Sequence, residues 1–269
     1  FAGESWVQRF EALEKKWPVH YITKERFHGN NDVFALMGRS LMGAAVLRAQ
    51  MSHSECHLLT VLSGTDLRRK EGGTRDMLKL WPHVERHMNI DPGPYIKGEV
   101  RAATENAPAD APTSWRTLFL ANIHLPQLAG ADHEVANMLD KHHSTFADEL
   151  LYHEINSGTL IIGMTSSHAA IRLTQIIMSQ YKTKTGKTDY KALLHVGVVN
   201  LISATHLEGI DYDQIKNAMQ FALSPLLMCS GTFATSLVLD PGKFTFHHAG
   251  AILDGMEMYV VESLAVEGR

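Results

Sequence analysis

From Ala192 to Ala204 the chain is apolar nearly all round: Leu193, Leu194, Val196, Val198, Val199, Leu201 and Ile202 leave no polar face. Such a segment must lie inside a fold, because no rotation of it presents a side that water tolerates. It is interrupted by His195, Gly197 and Asn200, and it falls short of the ~18 apolar residues that span a bilayer. With Asp189 as its cap, it predicts a central buried helix through about Ser203.

The flanking patterns also read as helices. Ser5 to Lys16 carries Trp6, Phe10 and Leu13 at helical spacing. Asp32 caps a helix expected to run to about Leu62, with Phe34, Met37, Leu41 and Ala45 on its apolar face. Thr74 to His87 is expected to be helical, interrupted at Pro82. Val135, Leu139, His142, Phe146, Glu149 and His153 fall within one arc of a helical wheel. Thr165 or Ser166 caps a helix through Tyr181, burying Ala170, Leu173, Ile177 and Tyr181 and exposing Arg172, Gln175 and Gln180. Asp211 with Gln214 three residues later resembles a capping box, and a last helix is expected from about Ala251 to Leu264. Leu237–Leu239 and Phe244–Phe246 flank Asp240-Pro241-Gly242-Lys243 as a short hairpin. The proline- and alanine-containing stretch 105–114 reads as a linker. The fold expectation is therefore mainly α: helical lobes at 1–104 and 115–269, joined by the 105–114 linker, with one short β-hairpin near 237–246.

Positive charge is concentrated in two connections. The first is Tyr181-Lys182-Thr183-Lys184-Thr185-Gly186-Lys187-Thr188-Asp189-Tyr190-Lys191. Gly186-Lys187-Thr188 is not the end of a phosphate-binding P-loop, because residue 181 is tyrosine rather than glycine and the segment follows a helical pattern rather than a strand. A solvated turn is one reading of it. The other is phosphate contact by Lys182, Lys184, Lys187 and Lys191, with Tyr181 or Tyr190 stacking on bases and Arg172 on the outer face of the preceding helix. The second segment contains Arg68, Arg69, Lys70 and Arg75, with Lys79 one turn further on. The net charge of −4 means that any anion site must be local.

Two basic connections in two helical lobes are an arrangement seen in viral nucleoproteins, by analogy of architecture alone. The leading expectation is thus a self-assembling, sequence-independent coat on single-stranded nucleic acid, RNA in particular. It would be a homo-oligomer without enzymatic activity or cofactor. The rival signal is histidine, with 16 in the chain. His142, Glu149 and His153 on one helix face would suit a helical iron-dependent oxidase or oxygenase, although the matching Glu-x-x-His pair is missing. An all-α scaffold is the third alternative. Glycine-rich dinucleotide fingerprints and the Gly-x-Ser-x-Gly elbow are absent. Two distant cysteines, Cys56 and Cys229, make no disulfide framework. With no signal-peptide pattern and no long apolar span, the expectation is no membrane association, and a cytoplasmic or nucleoprotein-particle location rather than secretion.

Overall fold

The central apolar run is a strand. A residue on a strand points to one face or the other in alternation, and here both faces are covered. Ala192, Leu194 and Val196 enter one core cluster while Leu193 and Val199 enter another. A strand buried on both sides loses its polar–apolar alternation and reads from sequence like a buried helix. The mainly α expectation is therefore corrected: the fold is α+β, built on a large mixed sheet.

The computed structural model describes residues 4–17, 19, 21–25, 32–62, 73–95, 114–239, 243–252 and 255–263. The first elements are α1 (Glu4–Lys16), α2 (Asp32–Met51), β1 (Leu58–Val61), α3 (Thr74–Leu80) and β2 (His87–Ile90), and β1 pairs in parallel with β2. There follow β3 (Trp115–His124), α4 (Asp132–His143), β4 (Leu150–Asn156), β5 (Thr159–Met164), α5 (Ser167–Thr185) and β6 (Lys191–Ser203). The last are β7 (His206–Glu208), α6 (Ile210–Ala218), β8 (Leu227–Ser230), α7 (Gly231–Leu237), β9 (Phe244–Ala251) and β10 (Glu257–Ser263).

The main sheet runs β4–β5–β3–β6–β8–β10–β9, with β7 paired to the last residues of β6. Among the described residues β6 and β8 are its one parallel pair. The β3–α4–β4–β5–α5–β6 segment has the ferredoxin-like order, a frame that hosts many unrelated functions. One face of the sheet is covered by α4, α5 and α7, with α2 packed on α7. The opposite face carries α6 through Tyr212, Ile215 and Ala218. Among the described residues no helix is long and apolar enough to cross a membrane.

Several local expectations hold. Ser166 caps α5 by accepting a hydrogen bond from Ala169 N–H, and Ala170, Leu173, Ile177 and Tyr181 are buried. Others change. Helix α2 ends at Met51, and Phe34, Met37 and Leu41 stay exposed while Leu36, Met42, Val46 and Leu47 are buried. The glycines decide that face: a Cβ on Gly43 would lie 1.9 Å from the Thr235 carbonyl oxygen, so α2 meets α7 where a side chain is missing. Leu237 ends α7, and the expected hairpin turn falls at 240–242, outside the described residues. The last expected helix is instead β10, paired with β9 and β8. Of the expected 105–114 linker only Ser114 is described, and its hydroxyl donates to Asn200 Oδ1.

A polar groove on the α6 face of the sheet

Sheet register assembles the candidate site. Residues directly opposite on neighbouring strands project to the same face, as do residues two apart on one strand. Glu154 of β4 pairs with Ile161 of β5, Ile161 with Asn122 of β3, and Asn122 with Leu193 of β6. The next row on that face is Asn156, Thr159, His124 and Lys191. Leu193 and Ile161 pack beneath α6, so this is the α6 face. Where α6 ends, Lys216 and Met219 overhang the sheet. Between them and Asn122, Glu154, Asn156 and Thr159 lies a groove of about 300 Å³.

The β4–β5 turn forms its rim. The Asn156–Thr159 pairing leaves a two-residue loop, Ser157-Gly158. Their φ angles are 49° and 74°, both positive as a type I′ hairpin turn requires. Glycine is needed at 158, where a Cβ would approach Leu125 O and Ala129 N at 2.8 Å. Asp132, opening α4, accepts hydrogen bonds from Ser157 N–H at 3.2 Å and Gly158 N–H at 2.9 Å. Changing Asp132→Ala is expected to cost about 1–2 kcal/mol by unpairing these donors, read as a lower urea midpoint. Relaxation measurements should show new motion centred on residues 156–159.

Glu154 is the carboxylate of the groove. The Tyr152 hydroxyl donates to its Oε2 at 2.9 Å and the Tyr212 hydroxyl donates to the same oxygen. The two phenol oxygens are 3.0 Å apart, with their rings edge to face. Burial pushes the Glu154 carboxyl up, but the two hydroxyls and the Lys216 charge outweigh it, leaving it below the usual carboxylate range and ionised. Burial, followed by hydrogen bonding to Glu154, pushes the Tyr212 phenol up to about 12. Tyr152 is raised further by burial and by its bonds to Tyr212 and Glu154. Both phenols therefore remain protonated donors. The Lys216 ammonium stands 4.9 Å from the Tyr212 ring centroid.

Asn122 stands out on the groove floor. It is 3% exposed, and its Nδ2 donates to Ile215 O at a long 3.4 Å. Its Oδ1 is buried and has no hydrogen-bond partner among the described residues, a state that costs stability unless something supplies a donor. The groove's donors and acceptors are thus a carboxylate, two carboxamides, hydroxyls and one ammonium. A divalent cation that orders phosphates is held by one or two carboxylates. Here Glu154 is already engaged by two phenols, and Asn122 and Asn156 offer neutral oxygens, so the donor set is weak for such an ion. Among the described residues no three His, Cys, Asp or Glu side chains cluster to hold a metal. A slightly larger groove of about 320 Å³ lies between α4 and α5, where the Lys184–Glu134 pair joins the two helices.

The lysine-rich connection is the C-terminus of α5. Gly186 at φ 68° is its left-handed cap, and Lys182 and Lys184 lie in its last turn, where the helix dipole favours cations. Lys184 pairs with Glu134 at 2.6 Å. Tyr181 is fully buried, donates to Asp189 Oδ1 and accepts from Gln127 N–H, so it has no face on which a base could stack. Asp189 serves that network and caps no helix. Tyr190 is half-buried, edge-on to Tyr181. Arg172 lies over the Phe146 ring. Lys182 and Lys187 are exposed, and Lys191 lies in the second polar row of the α6 face. On α3, Lys79 pairs with Asp76 at 2.7 Å and Arg75 is in the first turn. Arg68, Arg69 and Lys70 lie outside the described residues.

With Arg68, Arg69 and Lys70 outside the described residues, the spatial relation of the two basic segments is not described. The nucleic-acid-coat expectation, with its viral all-α setting, falls instead with the all-α fold, because the lysine-rich connection joins a helix to a central strand of a mixed sheet. The helical oxidase expectation falls with its helix: α4 stops at His143, Glu149 is in a turn and His153 is on β4. His142 contacts Gln180 instead. Sequence reasoning missed Asn122, Glu154, Asn156 and Lys216. Asn122, Glu154 and Asn156 show locally as polar residues within strand patterns and are aligned by register, whereas Lys216 lies on α6 and only the packing of that helix brings it over them.

No family model matches the chain, and no curated protein sequence matches it. Some solved structures follow part of its path. The adenylyl cyclase CyaB from P. aeruginosa aligns over 58% of this chain and 99% of its own, with TM-score 0.41 and 8% identity. The non-canonical dimeric guanylyl cyclase domain of the RhoGC fusion protein from the aquatic fungus Blastocladiella emersonii aligns over 56% and 98%, with TM-score 0.43 and 11% identity. The guanylate cyclase domain of RhGC from Catenaria anguillulae, in complex with GTP, aligns over 55% and 95%, with TM-score 0.41 and 16% identity. At these scores the likeness assigns nothing to this chain.

Proposed function

We propose that the groove binds a nucleoside or nucleotide and that the domain acts as a small-ligand-binding unit. The unpartnered Oδ1 of Asn122 carries this reading. A nucleobase edge alternates donors and acceptors in one plane, which carboxamides and a carboxylate match in pairs. A ring N–H or exocyclic amine would satisfy Asn122 Oδ1 and Glu154, while Asn156 can both donate and accept. Lys216 would then face the ribose or a phosphate as a mobile point charge. A volume near 300 Å³ is at the small end of ligand sites, which favours one nucleoside over a polymer.

The test is calorimetry with adenosine, guanosine and their 5′-mono- and triphosphates, using inorganic phosphate as control. Binding of at least one nucleoside or nucleotide, with none of free phosphate, is the expected result. The variant Asn122→Leu removes the unsatisfied acceptor together with the long bond to Ile215 O, two opposed effects, so the unliganded protein should keep its stability to within about 1 kcal/mol while binding is lost. Lys216→Ala should erase about tenfold of any preference for phosphorylated ligands, about 1.4 kcal/mol. If no nucleoside or nucleotide gives heat at millimolar concentration, the proposal fails.

A further inference from the structure

Helix α1 is thirteen residues long and buries none of its side chains. Trp6, Phe10, Leu13 and Trp17 are each more than half exposed. Trp17 N–H still donates to Leu13 O, so the helical ladder reaches residue 17. A helix of this length is marginal in water by itself and is normally held by packing of its apolar stripe. Here the stripe is spaced four, three and four, the d–a–d–a pattern of a heptad seam, with Trp6 and Leu13 at d and Phe10 and Trp17 at a.

We infer that α1 pairs with α1 of a second copy of this chain as a parallel, in-register two-helix seam. The flanking charges select both partner and direction. In the same frame Val7 and Glu14 fall at e, and Arg9 and Lys16 at g. In a parallel pair each g residue faces the e residue five places on in the partner, so Arg9 of each copy meets Glu14 of the other, twice by symmetry. In an antiparallel pair g faces g, which sets Arg9 against Lys16. Within one copy Arg9 leans over the Trp6 ring at 5.7 Å, and Glu14 accepts one hydrogen bond, from the Tyr21 hydroxyl. Other apolar surface exists on β1 and β2, where Leu59, Val61 and Met88 are exposed, but it carries no such charge frame.

The test is mass by light scattering over a micromolar concentration series of the full chain. The expected value is twice the 29.9 kDa of one chain. Arg9→Glu should weaken the dimer by about tenfold, and the double variant Arg9→Glu/Glu14→Arg should restore it. High salt should have a weaker effect than the charge reversal, because the apolar seam remains. Leu13→Cys on a Cys56→Ser background should cross-link between copies on mild oxidation, whereas Lys15→Cys, on the outer face, should not. Because α1 buries nothing against the core, these variants should keep the wild-type melting temperature of the rest of the fold. A monomer at all concentrations overturns the inference. So does a dimer that ignores Arg9→Glu and fails to cross-link through Leu13→Cys, since either result places the contact elsewhere or folds α1 back on its own chain.

Discussion

Changing Gly43→Ala is expected to destabilise the protein severely, while Gly38→Ala in the same helix should be close to neutral. In a free helix alanine is better than glycine by about 1 kcal/mol at either site, so the tertiary contact decides the sign. At Gly43 the new Cβ would sit 1.9 Å from the Thr235 carbonyl oxygen and 2.6 Å from its carbon. That neighbour is backbone of α7, which is wedged against the sheet and cannot rotate away. Helices α2 and α7 must separate, opening the apolar contact made by Leu36, Val46 and Leu47. A loss of about 3 kcal/mol, at the upper end of overpacking costs, is expected. At Gly38 the nearest atoms are Met77 Cγ at 3.0 Å and Sδ at 3.1 Å. Methionine is unbranched and re-packs at small cost. Urea midpoints of the two variants provide the check, and equal losses would show that α2 does not sit on α7 as described.

The second large effect is a pair of opposed pH dependences hidden in the wild type. Asp211 is 1% exposed, and its Oδ2 accepts from Val198 N–H at 2.7 Å beneath Gly197. Burial, abetted by Glu25, pushes its carboxyl up to about 6, against the hydrogen bonds from Thr23, Val198 and Lys24. Its folded value lies above its unfolded one, so its contribution is full at low pH and is lost as pH rises from about 4 to 6. From the ordinary 3.8 to about 6, this amounts to about 3 kcal/mol. His195 is buried, with Nδ1 2.9 Å from Ser230 Oγ. Burial pushes its imidazole down to about 4. A base depressed in the folded state favours folding above 6.5, and that advantage is lost as pH falls toward 4, again by about 3 kcal/mol. The two contributions nearly cancel between pH 4 and 6.5. Relative to wild type, Asp211→Asn should therefore lose about 3 kcal/mol of stability on acidification across that window, and His195→Asn should gain about as much. Denaturant titrations at pH 4, 5, 6 and 7 read this directly. Parallel profiles for all three proteins would rule out both assignments.

The legible parts of this chain are those set by local chemistry. Ser166 opens α5 as expected because its hydroxyl satisfies a free N–H, whereas the helix runs past the expected end at Tyr181 to Thr185, where Gly186 caps it at positive φ. The stripe on α1 is equally visible, since 3.6-residue periodicity needs no knowledge of what lies opposite. The misread parts carry pattern without partner. Ala192 to Ser203 is apolar on both faces of a strand, and residues 257–263 alternate too briefly to exclude a helix. The lysines after Tyr181 read as a binding surface because sequence shows charge but not the helix terminus and Glu134 that receive it.

The sequence by itself determined where helices α1, α3 and α5 begin and that one apolar segment must be central. Only the tertiary structure decided that this segment is a strand, that Gly43 turns α2 toward α7, and that Asn122, Glu154, Asn156 and Lys216 share one groove. The reason is physical. Capping and periodicity act within a few residues of backbone, whereas sheet register is set by hydrogen bonds between segments far apart in the chain, and a slip of one residue would turn Asn122 and Glu154 to the other face.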